Sequence, residues 1–456
     1  MCDSKNWIER DLRHIWHPCS QMKDYETLPP VVVDRGEGAR LFGVDGKTYI
    51  DIVGSWWCNL LGHCNPHINN AIKRQLDSLE HVIFAHFSHP PAIEYAERLC
   101  AVLPAGLCKL HFSDNGSSAV ECALKMSFQY QAQMGKPRKQ RFMCLSEGYH
   151  GETIGALSVG AMDVFTGVFK PLLVDSIRIP APDCYRCPYG QERASCACPC
   201  LDAARAVFER HADECCALIA EPLLQGAAGM RIYPEEYLRG LRALCDNYDV
   251  LFIADEIATG FGRTGELFAC ARAGISPDLM CLSKSITGGY LPFSVLAVTQ
   301  PIYDAFYADY SARRAFLHSH TFSGNPLGCA AALAVLDLLL NGRDGAAPAL
   351  QTARGNAVWL HETLQSALGG HPHVGEIRAI NLINAIELVA DKRAKTPFPP
   401  ARRTGRQIYK KALELGLLLR PLGDVLYFNP PLNTERSILA EAAALCKQSI
   451  ETGIQW

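Results

Sequence analysis

Two stretches, Val250-Leu-Phe-Ile-Ala-Asp255-Glu256 and Asp278-Leu-Met-Cys-Leu-Ser-Lys284-Ser-Ile-Thr-Gly288-Gly289, decide how this 456-residue chain folds. Each is a short apolar run without polar alternation, closed by an ionisable residue. Such runs are strands buried on both faces, the kind that parallel sheets contain. Similar runs stand at Leu110-His-Phe, Phe142-Met-Cys-Leu, Ala217-Leu-Ile-Ala and Val295-Leu-Ala-Val, with helix-like segments between them. The alternation predicts an α/β architecture, a mainly parallel sheet with helices on both faces, over residues 65–345. Residues 1–64 read as a β-rich N-terminal segment belonging to a smaller domain. Residues 346–456 read as its α+β C-terminal part.

In open sheets of this kind, ligands gather beyond the carboxyl ends of the strands. Asp255 and Lys284 both belong there. A lone lysine after a strand is ordinarily a solvated surface residue. Here apolar residues before it and Gly288-Gly289 after it would bury its stem, and a desolvated amine loses its proton more easily. Such an amine can condense with an aldehyde, while a carboxylate at a neighbouring strand end can keep a ring nitrogen protonated. Pyridoxal phosphate needs both.

Bulk composition narrows the partners. The 44 basic and 47 acidic residues give a net charge of −3 and are spread evenly. That leaves no basic face for nucleic acid or an anionic membrane, and favours small molecules. No stretch reaches the ~18 to 20 apolar residues of a membrane span. The opening Met1-Cys-Asp-Ser-Lys-Asn-Trp-Ile-Glu-Arg carries acids where a signal peptide is apolar, so a cytoplasmic location is expected. Of the 20 cysteines, most are scattered through apolar segments and read as reduced core residues. Cys184, Cys187, Cys196, Cys198 and Cys200 cluster instead. They leave two readings open, a structural zinc site or a cysteine-rich surface insertion, and the latter is taken as the expectation because single-residue spacing suits tetrahedral ligation poorly.

Further motifs fall at the same sheet edge. Ser113-Asp114-Asn115-Gly116-Ser117-Ser118 opens an amphipathic helix over Ala119 to Gln129, where free N–H groups suit a phosphate, although Ser, Asp and Asn also cap helices without any ligand. Glu147-Gly-Tyr149-His-Gly151 places an aromatic ring able to stack on a flat ligand, or merely to pack. Arg263 and Arg420 are candidates for gripping a carboxylate bidentately, or for structural ion pairs. Asp255-Glu256 alone would also suit a nucleoside triphosphatase, but the nearest phosphate-loop candidate, Gly46-Lys47-Thr48, has Leu41 where the first glycine is required.

With these residues in place the chain resembles the class III, fold type I, pyridoxal-phosphate aminotransferases. The resemblance covers nearly the whole chain. It is carried by Ser55-Trp56-Trp57 with Gly62-His63, Phe112-Ser-Asp-Asn-Gly-Ser-Ser, Gly148-Tyr-His-Gly, Ala254-Asp-Glu-Ile-Ala-Thr-Gly-Phe-Gly-Arg-Thr-Gly, Ser283-Lys-Ser-Ile-Thr-Gly-Gly, Thr321-Phe-Ser-Gly-Asn-Pro and Arg420-Pro-Leu-Gly. Ile15-Trp-His-Pro18 and the double tryptophan point to the biotin-biosynthesis branch, which aminates 8-amino-7-oxononanoate. The resemblance implies a seven-stranded sheet in the large domain, pyridoxal 5'-phosphate as cofactor and a homodimer. Lys284 would carry the cofactor and act as acid and base, Asp255 would bond the ring nitrogen and Tyr149 would stack on the ring. Gly116 and Ser117 would hold the phosphate, with Thr321 supplied to the partner's site. Trp56 and Trp57 would wall the substrate site, Arg420 would bind the keto acid's carboxylate, and Arg263 and Tyr427 would shape that pocket. Two departures fall where the amino donor is chosen. Cys19 replaces the aromatic residue usual after His-Pro, and Ser319-His320 replaces a common Gly-Pro. Adenosylmethionine is the expected donor, with lysine open; another class III ω-amino acid or diamine transaminase is the nearest alternative, and a non-enzymatic zinc module a distant one.

Overall fold

Seven apolar runs pair into one sheet: β1 (Leu107–Ser113), β2 (Arg141–Leu145), β3 (Ile177–Ile179), β4 (Cys215–Ala220), β5 (Leu251–Asp255), β6 (Leu279–Leu282) and β7 (Ser294–Thr299). The structure, a computed structural model, describes residues 4–343 and 345–454; Met1 to Asp3, which begin the stretch read against a signal peptide, lie outside the described residues. The strand order is β1-β7-β6-β5-β4-β2-β3. Pairings among β3, β2, β4, β5 and β6 are parallel, and β7 runs antiparallel to both β6 and β1. The expected mainly parallel seven-stranded sheet is therefore present, with one reversed strand inserted next to its edge.

All six residues of β4 and all four of β6 are buried, which is why these strands lack alternation. Burying a Leu or Ile side chain contributes roughly 1.5–3 kcal/mol, so these strands anchor the core. Helix α1 (Gly116–Gln133) follows β1, and its start is fixed by Asn115, whose side-chain oxygen accepts from the Ser118 N–H at 3.1 Å. Buried Val120, Ala123 and Ser127 lie at i, i+3 and i+7 along it, packing one stripe onto the sheet.

The two ends of the chain come together outside this sheet. Val33–Glu37, Arg40–Gly43 and Thr48–Asp51 form an antiparallel meander, and Leu417–Leu418 adds to it in parallel, with Leu417 opposite Ile50. A three-stranded antiparallel sheet is built from Val374–Ile380, Ile383–Leu388 and Val425–Phe428.

Among the described residues no helix is long and apolar enough to cross a membrane. Every described cysteine is a free thiol. In the cysteine cluster Cys198 Sγ and Cys200 Sγ stand 3.5 Å apart, and no group of three His, Cys, Asp or Glu among the described residues could hold a metal ion.

Candidate active site

Because β1, β2, β4, β5 and β6 point the same way, the residues after each one arrive at a single rim of the sheet. That rim encloses a cavity of about 560 Å³ lined by Asn115, Gly116, Ser117, Tyr149, His150, Glu221, Asp255, Ser283, Lys284 and Trp57. Asp255 ends β5 directly opposite Cys281 of β6, and Lys284 follows two residues after β6. The expected pair thus shares one pocket.

Lys284 sits there in a constrained backbone, with φ +25°, after which the chain turns through Lys284–Thr287. Its Nζ lies 4.8 Å from the centre of the Trp57 ring. Burial holds the amine's pKa below the usual lysine range, with the nearby Asp255 and Glu221 carboxylates pulling weakly the other way. An amine so placed spends more of its time as a nucleophile and base than a surface lysine does.

Asp255 is 3% exposed, and its Oδ2 accepts from His150 Nδ1 at 2.6 Å while Oδ1 accepts from the Ile257 N–H at 3.1 Å. His150 Nε2 is buried without a partner. Glu221 closes β4 and accepts from the N–H groups of Gly226 at 2.9 Å and Tyr149 at 3.1 Å. Desolvation outweighs these bonds and pushes its pKa up to about 7. Two buried carboxylates therefore face one lysine, Asp255 hydrogen-bonded to an imidazole and Glu221 held above the usual carboxylate range by burial.

Sequence reasoning missed His150 as a functional group. His150 stood inside the quoted Gly-Tyr-His-Gly stretch, and a hydrogen-bonding residue directly after a stacking candidate was the available signal.

The pocket also meets the first turn of α1, where N–H groups lack intrahelical acceptors and the helix dipole is positive. A Cβ at Gly116 would stand 2.9 Å from Ile257 Cδ1, so any larger residue there would push the Ile257 side chain aside. Ser117 Oγ accepts from the Glu152 N–H at 3.3 Å and also faces the cavity. Tyr149 lines the pocket, its hydroxyl donating to Glu152 Oε1 at 3.0 Å. An anion cradle, a flat space beside a tyrosine ring, a carboxylate for a ring nitrogen and a free amine for an aldehyde fit pyridoxal phosphate. Two residues that line the pocket, His150 and Asp114, each keep a buried polar atom without a hydrogen-bond partner, Nε2 and Oδ1.

The expected substrate residues divide. Trp57 lines the pocket and its Nε1 donates to Tyr427 Oη at 3.0 Å, so Tyr427, 1% exposed, braces the wall from behind without lining the pocket. Trp56 is exposed, and the Arg420 guanidinium stacks 3.9 Å from its ring centre. Arg420 opens onto an adjoining cavity of about 500 Å³ with His17, Cys19 and Tyr25. Cys19 Sγ reaches Glu152 Oε1 at 3.6 Å, joining that cavity to Tyr149.

Of the two roles open to Arg263, a carboxylate grip or a structural contact, its packing fits the structural one. Its Nη1 donates to the carbonyls of Asn429 (3.4 Å) and Pro430 (2.6 Å), and its Nη2 to those of Trp57 and Asn59, both at 3.1 Å. A fully buried guanidinium engaged with four carbonyls has no fork left for a carboxylate. Of the two arginines considered, Arg420 is the one that opens onto a cavity. Ser319 and Thr321 are exposed and lie outside the pocket of their own chain.

The segment bearing the tryptophans is itself unusual. Gly54, Ser55, Trp56 and Trp57 have φ of 57°, 43°, 66° and 74°, a left-handed turn. For the three non-glycine residues this costs roughly 1–2 kcal/mol each, strain of the sort that collects at ligand sites.

Comparison with known proteins agrees with this geometry. The family model described as "Aminotransferase class-III" matches residues 21–450. The adenosylmethionine-8-amino-7-oxononanoate aminotransferase of Geobacter sulfurreducens is 46% identical, over 99% of this chain and 98% of that relative. The crystal structure of the enzyme of that name from Methanocaldococcus jannaschii superposes with a TM-score of 0.91 at 36% identity, covering 98% and 99% of the two chains. An ω-transaminase from Pseudomonas jessenii, solved in complex with PMP, superposes with a TM-score of 0.92 at 30% identity, covering 98% of each chain. With a sheet rim that gathers an amine, a carboxylate and an anion cradle, and a family match running almost from end to end, the chain belongs to the class III aminotransferases.

Proposed function

We propose that the protein is a pyridoxal-phosphate-dependent aminotransferase that converts 8-amino-7-oxononanoate to 7,8-diaminononanoate, the biotin-pathway step to which the names of its relatives point. The observation that carries the reading is the shared pocket of Lys284 and Asp255 at the ends of neighbouring strands, beside the start of α1. Identity of 46% to a relative of that name, against 30% to the ω-transaminase, supports this substrate over the ω-amino acid or diamine alternative.

When bound, the cofactor supplies an aldehyde that captures the amino group and a ring that draws electrons away from the adjacent carbon. The chain's own residues do the rest. Lys284 moves a proton off the donor's carbon and later delivers one to the keto acid's carbon. Asp255 holds a proton on the ring nitrogen, and His150 fixes which carboxylate oxygen faces it. The first turn of α1, with Ser117 Oγ, binds the phosphate. Tyr149 and Trp57 confine the reacting groups between them and exclude water. Arg420, beside Trp56, binds the carboxylate end of the keto acid.

Ser319 and Thr321 lie away from their own pocket, which supports a homodimer in which that loop completes the partner's phosphate site; a cytoplasmic location belongs to the same proposal. We further read residues 1–64 and 346–456 as one small domain set against residues 65–345. Adenosylmethionine is the proposed amino donor.

The test is a pair of half-reactions. Holoenzyme mixed with adenosylmethionine loses its visible absorbance, and added 8-amino-7-oxononanoate restores it. Bleaching by lysine alone reassigns the donor. Good amination of pyruvate or 2-oxoglutarate with none of the oxononanoate overturns the substrate.

A further inference from the structure

Three consecutive non-glycine residues, Ser55, Trp56 and Trp57, occupy the left-handed region, which L-residues hold only when their surroundings over-determine it. The surroundings here are two buried charges at opposite ends of the turn. Asp51, wholly buried at the end of the strand Thr48–Asp51, accepts from the N–H groups of Val53 (3.3 Å) and Ser55 (3.1 Å) through Oδ1. Its Oδ2 accepts from Ser55 Oγ at 2.7 Å and His63 Nε2 at 2.9 Å.

His63 is itself fixed, because its backbone exchanges two hydrogen bonds with Gly38, of 3.1 and 2.7 Å. At the other end Arg263 takes the carbonyls of Trp57 and Asn59. A carboxylate thus gathers the donors of the turn and a guanidinium its acceptors. Gly54 leaves no room to relax, since a Cβ there would stand 2.8 Å from the Asn429 carbonyl oxygen. Burial works against the Asp51 carboxylate, yet the bonds from His63 and Ser55 outweigh it and keep its pKa below the usual range. Neither Asp51, Ser55 nor His63 lines the pocket. What the clamp controls is where the two tryptophans stand, Trp57 against Lys284 and Trp56 under Arg420.

We propose that Asp51 is a positioning residue for substrate selection: by holding Gly54–Trp57 left-handed it sets the wall that recognises the long apolar chain and terminal carboxylate of the keto acid. It acts on binding of that substrate and leaves the reactivity of Lys284 alone. The inference rests on the aminotransferase reading of the pocket.

The experiment compares steady-state kinetics of wild-type holoenzyme, Asp51→Asn, and Asp51→Asn combined with Ser55→Gly. In the first variant an amide N–H₂ meets a donor from Ser55 or His63, so the turn loses an anchor. KM for 8-amino-7-oxononanoate rises about tenfold, kcat stays within about threefold, and the visible absorbance of bound cofactor is unchanged. Intrinsic tryptophan emission shifts as the wall loosens. Glycine at position 55 removes the backbone penalty of the left-handed conformation, so the double variant recovers about a threefold part of the lost KM. A wild-type KM in Asp51→Asn overturns the proposal. So does a fall in kcat and cofactor content that glycine does not repair, which is the signature of general structural damage.

If Asp51→Asn does not accumulate as folded protein, Ser55→Ala is read the same way. A KM rise of about threefold supports the clamp and an unchanged KM overturns it. Wild-type enzyme that aminates no keto acid at all would instead sink the underlying reaction, a result distinct from any of these.

Discussion

Replacing His150 by alanine isolates the group behind Asp255. The imidazole Nδ1 donates to Asp255 Oδ2 at 2.6 Å, and the ring is fully buried. A hydrogen bond to a charged group contributes roughly 1.5–3 kcal/mol. Without it the carboxylate keeps only the Ile257 N–H and holds the ring-nitrogen proton less well oriented. If that whole contribution is expressed in the proton-transfer step, the rate falls about 10- to 150-fold at roughly 1.4 kcal/mol per decade. Single-turnover bleaching of holoenzyme by a saturating amino donor reads this step directly. His150→Asn can keep a donor near the Nδ1 position, so it recovers most of the rate. A rate for His150→Ala within about twofold of wild type would refute the reasoning, because Asp255 would then be held without the imidazole.

Ser117→Ala removes one hydroxyl from the phosphate cradle, and equilibrium dialysis is expected to show cofactor affinity about tenfold weaker or more, with kcat at saturating cofactor little changed. Glu221, with its folded pKa raised to about 7 by burial, is favoured as the neutral acid. The unfolded chain releases that proton near pH 4.5, so stability from this group is present below about pH 4.5, is lost as pH rises through about 7, and stays lost above it. Across that window the loss is about 3 kcal/mol. The melting temperature of cofactor-free Glu221→Gln should therefore improve relative to wild type between pH 5 and pH 8, and a pH-independent difference contradicts the assigned burial effect.

Much of the fold could be read from the chain because strand ends carry their chemistry with them. Val250 to Asp255 and Leu279 to Lys284 are apolar until the rim, and the parallel sheet turns sequence ends into spatial neighbours. Ile177-Arg-Ile, the three-residue edge strand β3, was too short to leave a pattern. The reversal of β7 was equally silent, since a strand buried on both faces reads the same in either direction. The left-handed turn could not be foreseen because tryptophan is not a residue expected at positive φ, and its cause, Asp51 inside Thr48-Tyr-Ile-Asp-Ile, read simply as part of a strand. Arg263 and Arg420 were indistinguishable as arginines near glycine or proline. Only the packing reveals that four carbonyls occupy the first.

The central claim is that one buried amine carries the cofactor. Reduce the holoenzyme with borohydride, digest it and locate the pyridoxyl group by peptide mass. The account predicts a single modified residue, Lys284, and no label in Lys284→Ala; a label on any other lysine of the wild-type chain, or none at all, contradicts it.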